Sequence, residues 1–203
     1  MCMMPTDFHA TRPQAPAAVF GPYRQMDYDR LPEQPRHELL CGNLVPVPSP
    51  SPWHQTVVCF LWRHLQRIAS RARGRAYAAP LDVILADHTV VQPDVIYVSA
   101  GRAGILQDRI LGAPDLLIEV LSPGTMRRDT GVKMSLYAQL GVPEYWIVDP
   151  SARLVEFRVN ESGHFTAPPS LADRPGRAYV SPCLPEIHLD PAELWREIDR
   201  EVS

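Results

Sequence analysis

Three strongly apolar segments, rich in β-branched residues, constrain the fold of this chain most. They cover residues 81–86, 90–98 and 115–121. Short apolar runs of this kind are typical of strands buried in the middle of a sheet. A further strand is predicted at 144–149, and the turn residues after it predict an antiparallel meander through 153–159. We therefore expect a sheet at the centre of the fold.

Residues 54–72 predict a long amphipathic helix with a stripe of arginines. Apolar residues recur at helical spacing on one face, while Arg63, Arg67 and Arg71 recur every four residues on another. Guanidinium groups in such a row suit contacts with nucleic-acid phosphates, and a solvated face is the alternative. His54, at the start of this helix, is a further candidate for a phosphate contact, with a capping or surface role as its alternative.

Other segments complete an alternation of strands and helices. Residues 36–47 predict a β-hairpin that turns at Gly42 and Asn43. A second helix is expected to have Asp129 as its N-cap and to end at Gly141. Together with a C-terminal helix, this order predicts an α/β or α+β fold in which helices cover both faces of a mixed sheet.

Chain length and the proline distribution predict one folded domain behind a tail. A chain of 203 residues is long enough for a single domain with a sizeable core. Residues 1–22 show neither helical nor strand periodicity, so we expect a mobile proline-rich tail there and a single domain over 23–203.

The net charge of −3 means that a nucleic acid would have to be held by a local basic face.

The cysteines and the N-terminal sequence predict a reducing, cytoplasmic environment. The cysteines at 2, 41, 59 and 183 lack the spacing of a C-x-x-C pair or a zinc site. An acidic residue stands where a signal peptide needs a basic region, and the sequence has no run of about eighteen apolar residues. We therefore expect a cytoplasmic protein with no membrane partner.

Two carboxylates interrupt the apolar strands. Glu119 lies in LLIEVL and Asp94 lies in VVQPDVIYV, each among aliphatic neighbours. Burying an ionised carboxylate is costly unless a cation, hydrogen bonds or a metal compensates it, and a structural ion pair would explain either residue alone. If the two strands lie side by side, however, both carboxylates share one site. They then offer the oxygen ligands that Mg²⁺ prefers.

Lysine occurs once in the sequence, at position 133. Lys133 is the single lysine among 20 lysine and arginine residues, and chance survival of a surface lysine is one explanation. The other is function, because a compact ammonium on a flexible stem can act as a movable charge or proton donor. Asp129, Lys133 and Tyr137 share one helical face. Since only a short loop and one helical turn separate Lys133 from Glu119, its ammonium can return to the sheet edge.

Five sequence blocks together resemble the Uma-two family of restriction-endonuclease-like proteins. They are HELLCGNLVPVPSPSPWHQ, VQPDVIYVS, GAPDLLIEVLSPGT, the D-x-x-x-K-x-x-x-Y pattern of residues 129–137, and GVPEYWIVDP. The blocks occur in the family's order and span residues 36–150, with a weaker match up to the C-terminal helix. The family belongs to the PD-(D/E)XK nuclease superfamily, so the resemblance implies a restriction-endonuclease-like fold with a mixed sheet flanked by helices.

The resemblance also implies roles for individual residues. Asp94 resembles the acid of the superfamily's P-D element, Glu119 its second acid, and Glu38 an additional glutamate near the N-terminal element. The superfamily pattern places lysine two residues after the second acid, where this chain has Leu121. Lys133 resembles a lysine that has migrated to the next helix, as in some members of the superfamily.

These observations predict an endonuclease that uses Mg²⁺ or Mn²⁺ to hydrolyse phosphodiester bonds, with DNA favoured over RNA. Asp94 and Glu119 would be metal ligands, Glu38 a further catalytic candidate, and Lys133 the group that assists the attacking water. The alternative is a catalytically silent nucleic-acid-binding or assembly module on the same fold. Homodimers are common among enzymes that cut both strands, but that is an analogy, and these residues do not determine the oligomeric state.

Overall fold

The structure, a computed structural model, describes residues 20–168 and 178–202. The helices are α1 (Gln25–Tyr28), α2 (Pro52–Ala72), α3 (Met126–Arg128), α4 (Met134–Gln139) and α5 (Pro191–Val202). A π-helical turn, Asp129–Lys133, joins α3 to α4, and a 3₁₀ helix covers Ala100–Ile105. The strands are β1 (His37–Leu40), β2 (Asn43–Pro46), β3 (Arg75–Ala78), β4 (Val83–Ala86), β5 (Thr89–Val91), β6 (Val95–Val98), β7 (Ile110–Leu111), β8 (Leu116–Val120), β9 (Glu144–Asp149), β10 (Leu154–Glu161), β11 (His164–Thr166), β12 (Tyr179–Val180) and β13 (His188–Leu189).

Most strands belong to two sheets, which we call the first and the second sheet. The first has the order β2-β1-β5-β4-β7 and the second the order β11-β10-β9-β8-β6-β3. In the second sheet β8 pairs parallel with β9 and antiparallel with β6, while β9, β10 and β11 form the predicted meander. The mixed α/β architecture predicted from the sequence is confirmed, but with two main sheets instead of one.

The expectation of one continuous strand over residues 90–98 is wrong. That segment is divided into β5, which belongs to the first sheet, and β6, which belongs to the second. Pro93 lies at the break, because proline has no amide hydrogen and cannot continue a ladder in the middle of a sheet. Asp94 therefore lies where the chain crosses between sheets, directly before β6, and not inside a strand.

The predicted hairpin is formed by β1 and β2, which pair antiparallel. Its turn consists of Cys41 and Gly42, with φ angles of 48° and 75°, and not of Gly42 and Asn43. Positive φ at both central residues is what a two-residue type I′ turn requires. Asn43 instead begins β2.

Helices cover both faces of the second sheet, as predicted. Alternate residues of β8 point to opposite faces, and Leu116 and Ile118 pack in the same core as Leu61 of α2. Leu117 packs in the other core with Tyr137 of α4. Glu119 has the same parity as Leu117, so the strand geometry places its carboxylate on the face covered by α4.

The C-terminal helix α5 docks beside α2. Its residues Leu194 and Ile198 are buried in the core that α2 shares with the second sheet. Asp190 precedes the helix, and its Oδ1 accepts a hydrogen bond from the amide of Ala192 at 2.9 Å. In the part of the chain that the structure describes, no helix combines the length and apolar character needed to cross a membrane.

The predicted N-terminal tail, residues 1–22, falls mainly outside the described residues, which start at Phe20. The amide of Gly21 donates a hydrogen bond to the carbonyl of Cys41 at 2.8 Å. The ring of Phe20 meets that of His88 edge-on, with centroids 4.8 Å apart. Gly21 is therefore attached to the hairpin of β1 and β2, and Phe20 to the turn between β4 and β5.

Candidate active site

A cleft of about 560 Å³ opens between the two main sheets, the start of α2 and the segment from α3 to Lys133. It collects most of the residues singled out from the sequence. Those in its lining are Glu38, His54, Asp94, Glu119 and Lys133, joined by Asp129. These residues come together because the chain passes from the first sheet to the second between β5 and β6. This passage brings Glu38 of the first sheet beside Glu119 of the second.

Lys133 is buried at the centre of this group, with a side chain that is 4% exposed. Its Nζ lies 2.5 Å from Oε1 of Glu119, 2.9 Å from Oε1 of Glu38 and 3.8 Å from Oδ1 of Asp129. Burial alone would lower the pKa of Lys133, but these carboxylates outweigh it and hold the pKa well above its usual range. The lysine is thus a charged group enclosed by acids, and not a surface residue.

Glu119 is buried, and within the described residues its side chain makes both of its polar contacts through one oxygen. Oε1 accepts a hydrogen bond from the hydroxyl of Tyr137 at 2.8 Å and also meets the Lys133 ammonium. Burial raises the pKa of Glu119 well above its usual value, and the nearby negative charges of Asp129, Asp94 and Glu38 add to this against the effect of Lys133. These contacts leave Oε2 as the oxygen for another ligand.

Asp129 is not the N-cap that its position predicted. Thr125 occupies the N-cap of α3, and Asp129 lies one turn later, at the start of the π-helical turn. Its side chain is buried, and burial raises the pKa of its carboxyl. The π turn carries both Asp129 and Lys133 inward, which is consistent with the occurrence of such turns at functional sites.

Glu38 connects the lysine to the first sheet. Its Oε1 accepts hydrogen bonds from Lys133 Nζ and from the backbone amide of Gln92, both at 2.9 Å. Arg128 reaches its other oxygen at 3.5 Å. Burial would raise the pKa of Glu38, but the charge of Lys133 and these hydrogen bonds lower it below its usual value. Glu38 is therefore the ionised partner of the pair that it forms with Lys133.

Asp94 and His54 contact each other, and both contact the backbone of Val120 at the end of β8. The amide of Val120 donates to Oδ2 of Asp94 at 2.8 Å, and His54 Nε2 lies 2.9 Å from the carbonyl of Val120 and 3.3 Å from the same Asp94 oxygen. Burial lowers the pKa of His54, but the bond to Asp94 and its charge raise it overall. His54 Nδ1 is buried without a hydrogen-bond partner in the described residues.

The donor chemistry of the cleft suits a hard divalent cation. Glu38, Asp94, Glu119 and Asp129 all line it, and the permanent cations that contact them within the described chain are Lys133 and Arg128. Four carboxylates thus face three permanent cations in the lining, Lys133, Arg128 and Arg36, and carboxylate oxygens are the ligands that Mg²⁺ accepts. The polar contacts of Asp94 and Glu119 engage Oδ2 and Oε1, which leaves the second oxygen of each carboxylate for a metal.

The arginine stripe is not part of this cleft. Arg63, Arg67 and Arg71 lie roughly 13 to 26 Å along α2 from His54 at the helical rise per residue. Arg63 pairs with Glu201 of α5 at 2.5 Å. The cationic side chains that line the cleft besides Lys133 are Arg36 and Arg128.

Sequence reasoning missed or misassigned several members of the site. Tyr137 and Asp129 were recognisable only by their four-residue spacing from Lys133, and Asp129 was assigned to a cap. Gln92 and Arg128 carried no local signal, because their partner Glu38 is 54 and 90 residues away in the chain.

Comparisons with known proteins agree with this architecture. A family model described as "Uma2: Putative restriction endonuclease" matches residues 23–192. A solved structure, described as that of a putative nuclease belonging to DUF820 from Anabaena variabilis ATCC 29413, matches with a TM-score of 0.71 and 20% identity over 87% of this chain and 99% of that one. No curated protein matches significantly.

The two matches carry different weight. At 20% identity, the solved structure shows the fold alone. The family model supports a nuclease-like function, and it confirms the resemblance seen in the sequence blocks. Because that model covers most of the chain, the protein belongs to the Uma2 family.

Proposed function

We propose that this protein is a metal-dependent endonuclease that hydrolyses phosphodiester bonds of nucleic acid, with DNA as its substrate. The observation that carries the proposal is the enclosure of Lys133, the single lysine of the chain, by Glu119, Glu38 and Asp129 in a cleft that also holds Asp94. An ammonium beside paired carboxylates at an open cleft is an arrangement that can act on a phosphate.

Asp94 and Glu119 would hold the metal ion, Mg²⁺ or Mn²⁺. When bound, that ion would polarise the phosphate and lower the pKa of bound water. Lys133, hydrogen-bonded to Glu119, would donate to an attacking water or offset charge that develops on the phosphate. Glu38 would keep the ammonium in place, since it accepts a hydrogen bond from Lys133 and is itself fixed by the Gln92 amide.

Binding of metal gives the most direct test of the proposal. We expect the protein to bind Mn²⁺ in isothermal titration calorimetry, because Asp94 and Glu119 each keep one carboxylate oxygen for a metal ion. Asp94→Asn should weaken binding at least tenfold and reduce cleavage of a DNA substrate strongly.

Asp115→Asn is the matched control for this variant. Asp115 is a buried carboxylate that accepts a backbone hydrogen bond across neighbouring segments, from Ser99 at 2.7 Å, as Asp94 does from Val120 at 2.8 Å. It does not line the cleft, so Asp115→Asn should retain metal binding. Equal metal binding by both variants and the parent protein would contradict the assignment of Asp94.

One observation favours the alternative, a silent binding or assembly module. Among the described residues, no three or more histidine, cysteine and acidic side chains are preformed as a metal-binding group, and Lys133 already compensates part of the acidic charge. Such a module should bind DNA indifferently to Mn²⁺ and cleave nothing. The calorimetric titration therefore separates the two functions.

The arginine stripe is proposed to contact phosphates rather than bases. Replacing Arg63, Arg67 and Arg71 by glutamine should weaken binding of every DNA sequence alike and reduce the slope of log K against log salt by up to about 2 to 3. Fluorescence anisotropy at several salt concentrations, in the Glu119→Gln background, measures this slope. The matched control replaces three arginines outside α2: Arg24, Arg153 and Arg158. If the slope changes only in the control variant, or in neither variant, the arginine stripe is a solvated face.

A further inference from the structure

The pairing between β6 and β8 stops before β8 itself ends at Val120. In the antiparallel register, Val95 lies opposite Ile118. Continued pairing would place Pro93 opposite Val120, but proline has no amide hydrogen and the chain crosses between the two sheets at this point. Val120 is 1% exposed, so its amide and carbonyl need hydrogen-bond partners other than a neighbouring strand.

Two side chains supply these partners. The amide of Val120 donates to Oδ2 of Asp94 at 2.8 Å, and the carbonyl of Val120 lies 2.9 Å from Nε2 of His54. A carbonyl oxygen only accepts hydrogen bonds, so Nε2 carries a hydrogen and donates it. The same nitrogen lies 3.3 Å from Oδ2 of Asp94. One ring nitrogen of His54 therefore contacts both the Asp94 carboxylate and the end of β8.

His54 is itself held at the start of α2. Its backbone amide donates to Oγ of Ser51, the N-cap of this helix, at 3.2 Å. Its side chain is 11% exposed, and Nδ1 is buried without a hydrogen-bond partner among the residues that the structure describes. Since Nδ1 is enclosed and Nε2 is engaged, this geometry favours an action of His54 through Asp94 and Val120 over a direct contact with phosphate.

This contact bears on the candidate metal site because Val120 directly follows Glu119 in β8. Asp94 and Glu119 come from different parts of the chain, and one ion can contact both only if their carboxylates keep a suitable separation. His54 fixes Asp94 against the strand that carries Glu119. Side chains that orient metal ligands in this way typically change metal affinity by about 10- to 100-fold.

We propose, on the basis of the metal-dependent function above, that His54 is a positioning residue of the metal site. Through the hydrogen on Nε2 it holds the Asp94 carboxylate at the end of β8, so that Asp94 and Glu119 can bind one ion together. His54 does not coordinate the ion. Without this hydrogen, Asp94 would be held by the Val120 amide alone.

Titration calorimetry with Mn²⁺ on variants of two histidines tests this role. His54→Asn places its side-chain nitrogen near the position of Nδ1 and replaces nothing at Nε2, so Mn²⁺ binding should weaken about 10- to 100-fold. His54→Gln places an amide nitrogen near the position of Nε2 and should restore most of the affinity. The matched control is His64→Asn, because His64 lies on the same helix and its Nε2 also contacts a backbone carbonyl, that of His188 at 2.6 Å, outside the cleft. This control should bind Mn²⁺ as the wild type does.

Hydrogen exchange of the metal-free proteins gives a second measurement. The Val120 amide should exchange faster in His54→Asn than in the wild type, because its acceptor Asp94 is less restrained. His54→Gln should return the exchange rate towards that of the wild type, and His64→Asn should leave it unchanged. An unchanged rate in His54→Asn would overturn the proposal.

The remaining outcomes separate this role from its alternatives. Equal Mn²⁺ binding by His54→Asn and the wild type, or equal losses in His54→Asn and His64→Asn, would overturn the proposal. So would a His54→Asn protein that fails to fold in chemical denaturation, since His54 would then be purely structural. A nitrogen ligand from His54 in pulsed electron paramagnetic resonance of bound Mn²⁺ would make it a metal ligand instead.

Failure of the proposed function is distinguishable from failure of this inference. If the wild type binds no Mn²⁺, the metal-dependent function and the positioning role fail together. If the wild type binds Mn²⁺ and His54→Gln binds it as weakly as His54→Asn does, the positioning role fails alone.

Discussion

Replacing Lys133 by methionine is expected to abolish cleavage and to lower the free energy of unfolding by about 3 to 5 kcal/mol at neutral pH. The reason is the burial of three carboxylates around one ammonium: Glu119 at 2.5 Å, Glu38 at 2.9 Å and Asp129 at 3.8 Å. Methionine occupies a similar volume but leaves their charges uncompensated. Single-turnover cleavage and chemical denaturation measure the two effects.

The pH dependence of this loss follows from the charges. Because the folded state raises the pKa of Lys133, the lysine contributes stability at every pH below its unfolded value, including neutral pH. In Lys133→Met, the carboxylates of Glu119, Glu38 and Asp129 no longer face an ammonium group. They can become neutral by binding protons as the pH falls. The stability deficit of the variant should therefore be smaller at pH 5 than at pH 8.

The Lys133→Arg variant distinguishes the positive charge of Lys133 from its ability to donate a proton. Arginine keeps the positive charge, but its wide guanidinium group is a poor proton donor and does not fit among three close carboxylates. Cleavage should fall about 100- to 10,000-fold while DNA affinity changes little. The control Arg127→Met removes an exposed cation from the same helical segment and should leave both quantities unchanged. Equal cleavage by Lys133→Arg and the wild type would reduce Lys133 to a replaceable charge.

Glu119→Gln should reduce metal-dependent cleavage by about a thousandfold or more while leaving the protein at least as stable as the wild type. Burial and the neighbouring acids raise the pKa of Glu119, so its ionised form is disfavoured in the folded state. The wild type therefore loses stability from this group as the pH rises above about 4.5 through the folded-state pKa. Glutamine resembles the protonated form and removes that loss, so the stability of the variant relative to the wild type should increase with pH.

Glu144→Gln provides a matched control, since Glu144 is another fully buried carboxylate of the second sheet. Its oxygens accept hydrogen bonds from Trp146 at 2.6 Å, from Tyr179 at 2.9 Å and from Ser181. Three donors face the carboxylate, so an amide nitrogen there should destabilise the fold by about 1 to 3 kcal/mol. Cleavage per folded molecule should not change. Undiminished cleavage by Glu119→Gln, or equal losses in both variants, would contradict the role of Glu119.

The sequence alone determined the elements whose signals are local. Helical periodicity identified α2, which begins at Pro52, two residues before the predicted start. Strand composition identified β8 and β9, and the glycine at 141, with a φ angle of 85°, ended the helical segment as predicted. The two acids in apolar surroundings and the single lysine also line one cleft, and their role there stays a prediction. All of these depend on residues within about a turn or a strand of one another, where spacing and propensity act directly.

Tertiary structure alone decided how those elements meet. No local signal divided residues 90–98 between two sheets, although that crossing places Asp94 at the cleft. The contact of Lys133 with Glu38 spans 95 residues, and the pairing of Arg63 with Glu201 spans 138. Asp129 looked like a cap because its neighbours could not reveal the π turn that carries it inward. Such contacts arise from the packing of whole sheets and helices, which depends on shape and buried area summed over distant residues and not on any short pattern.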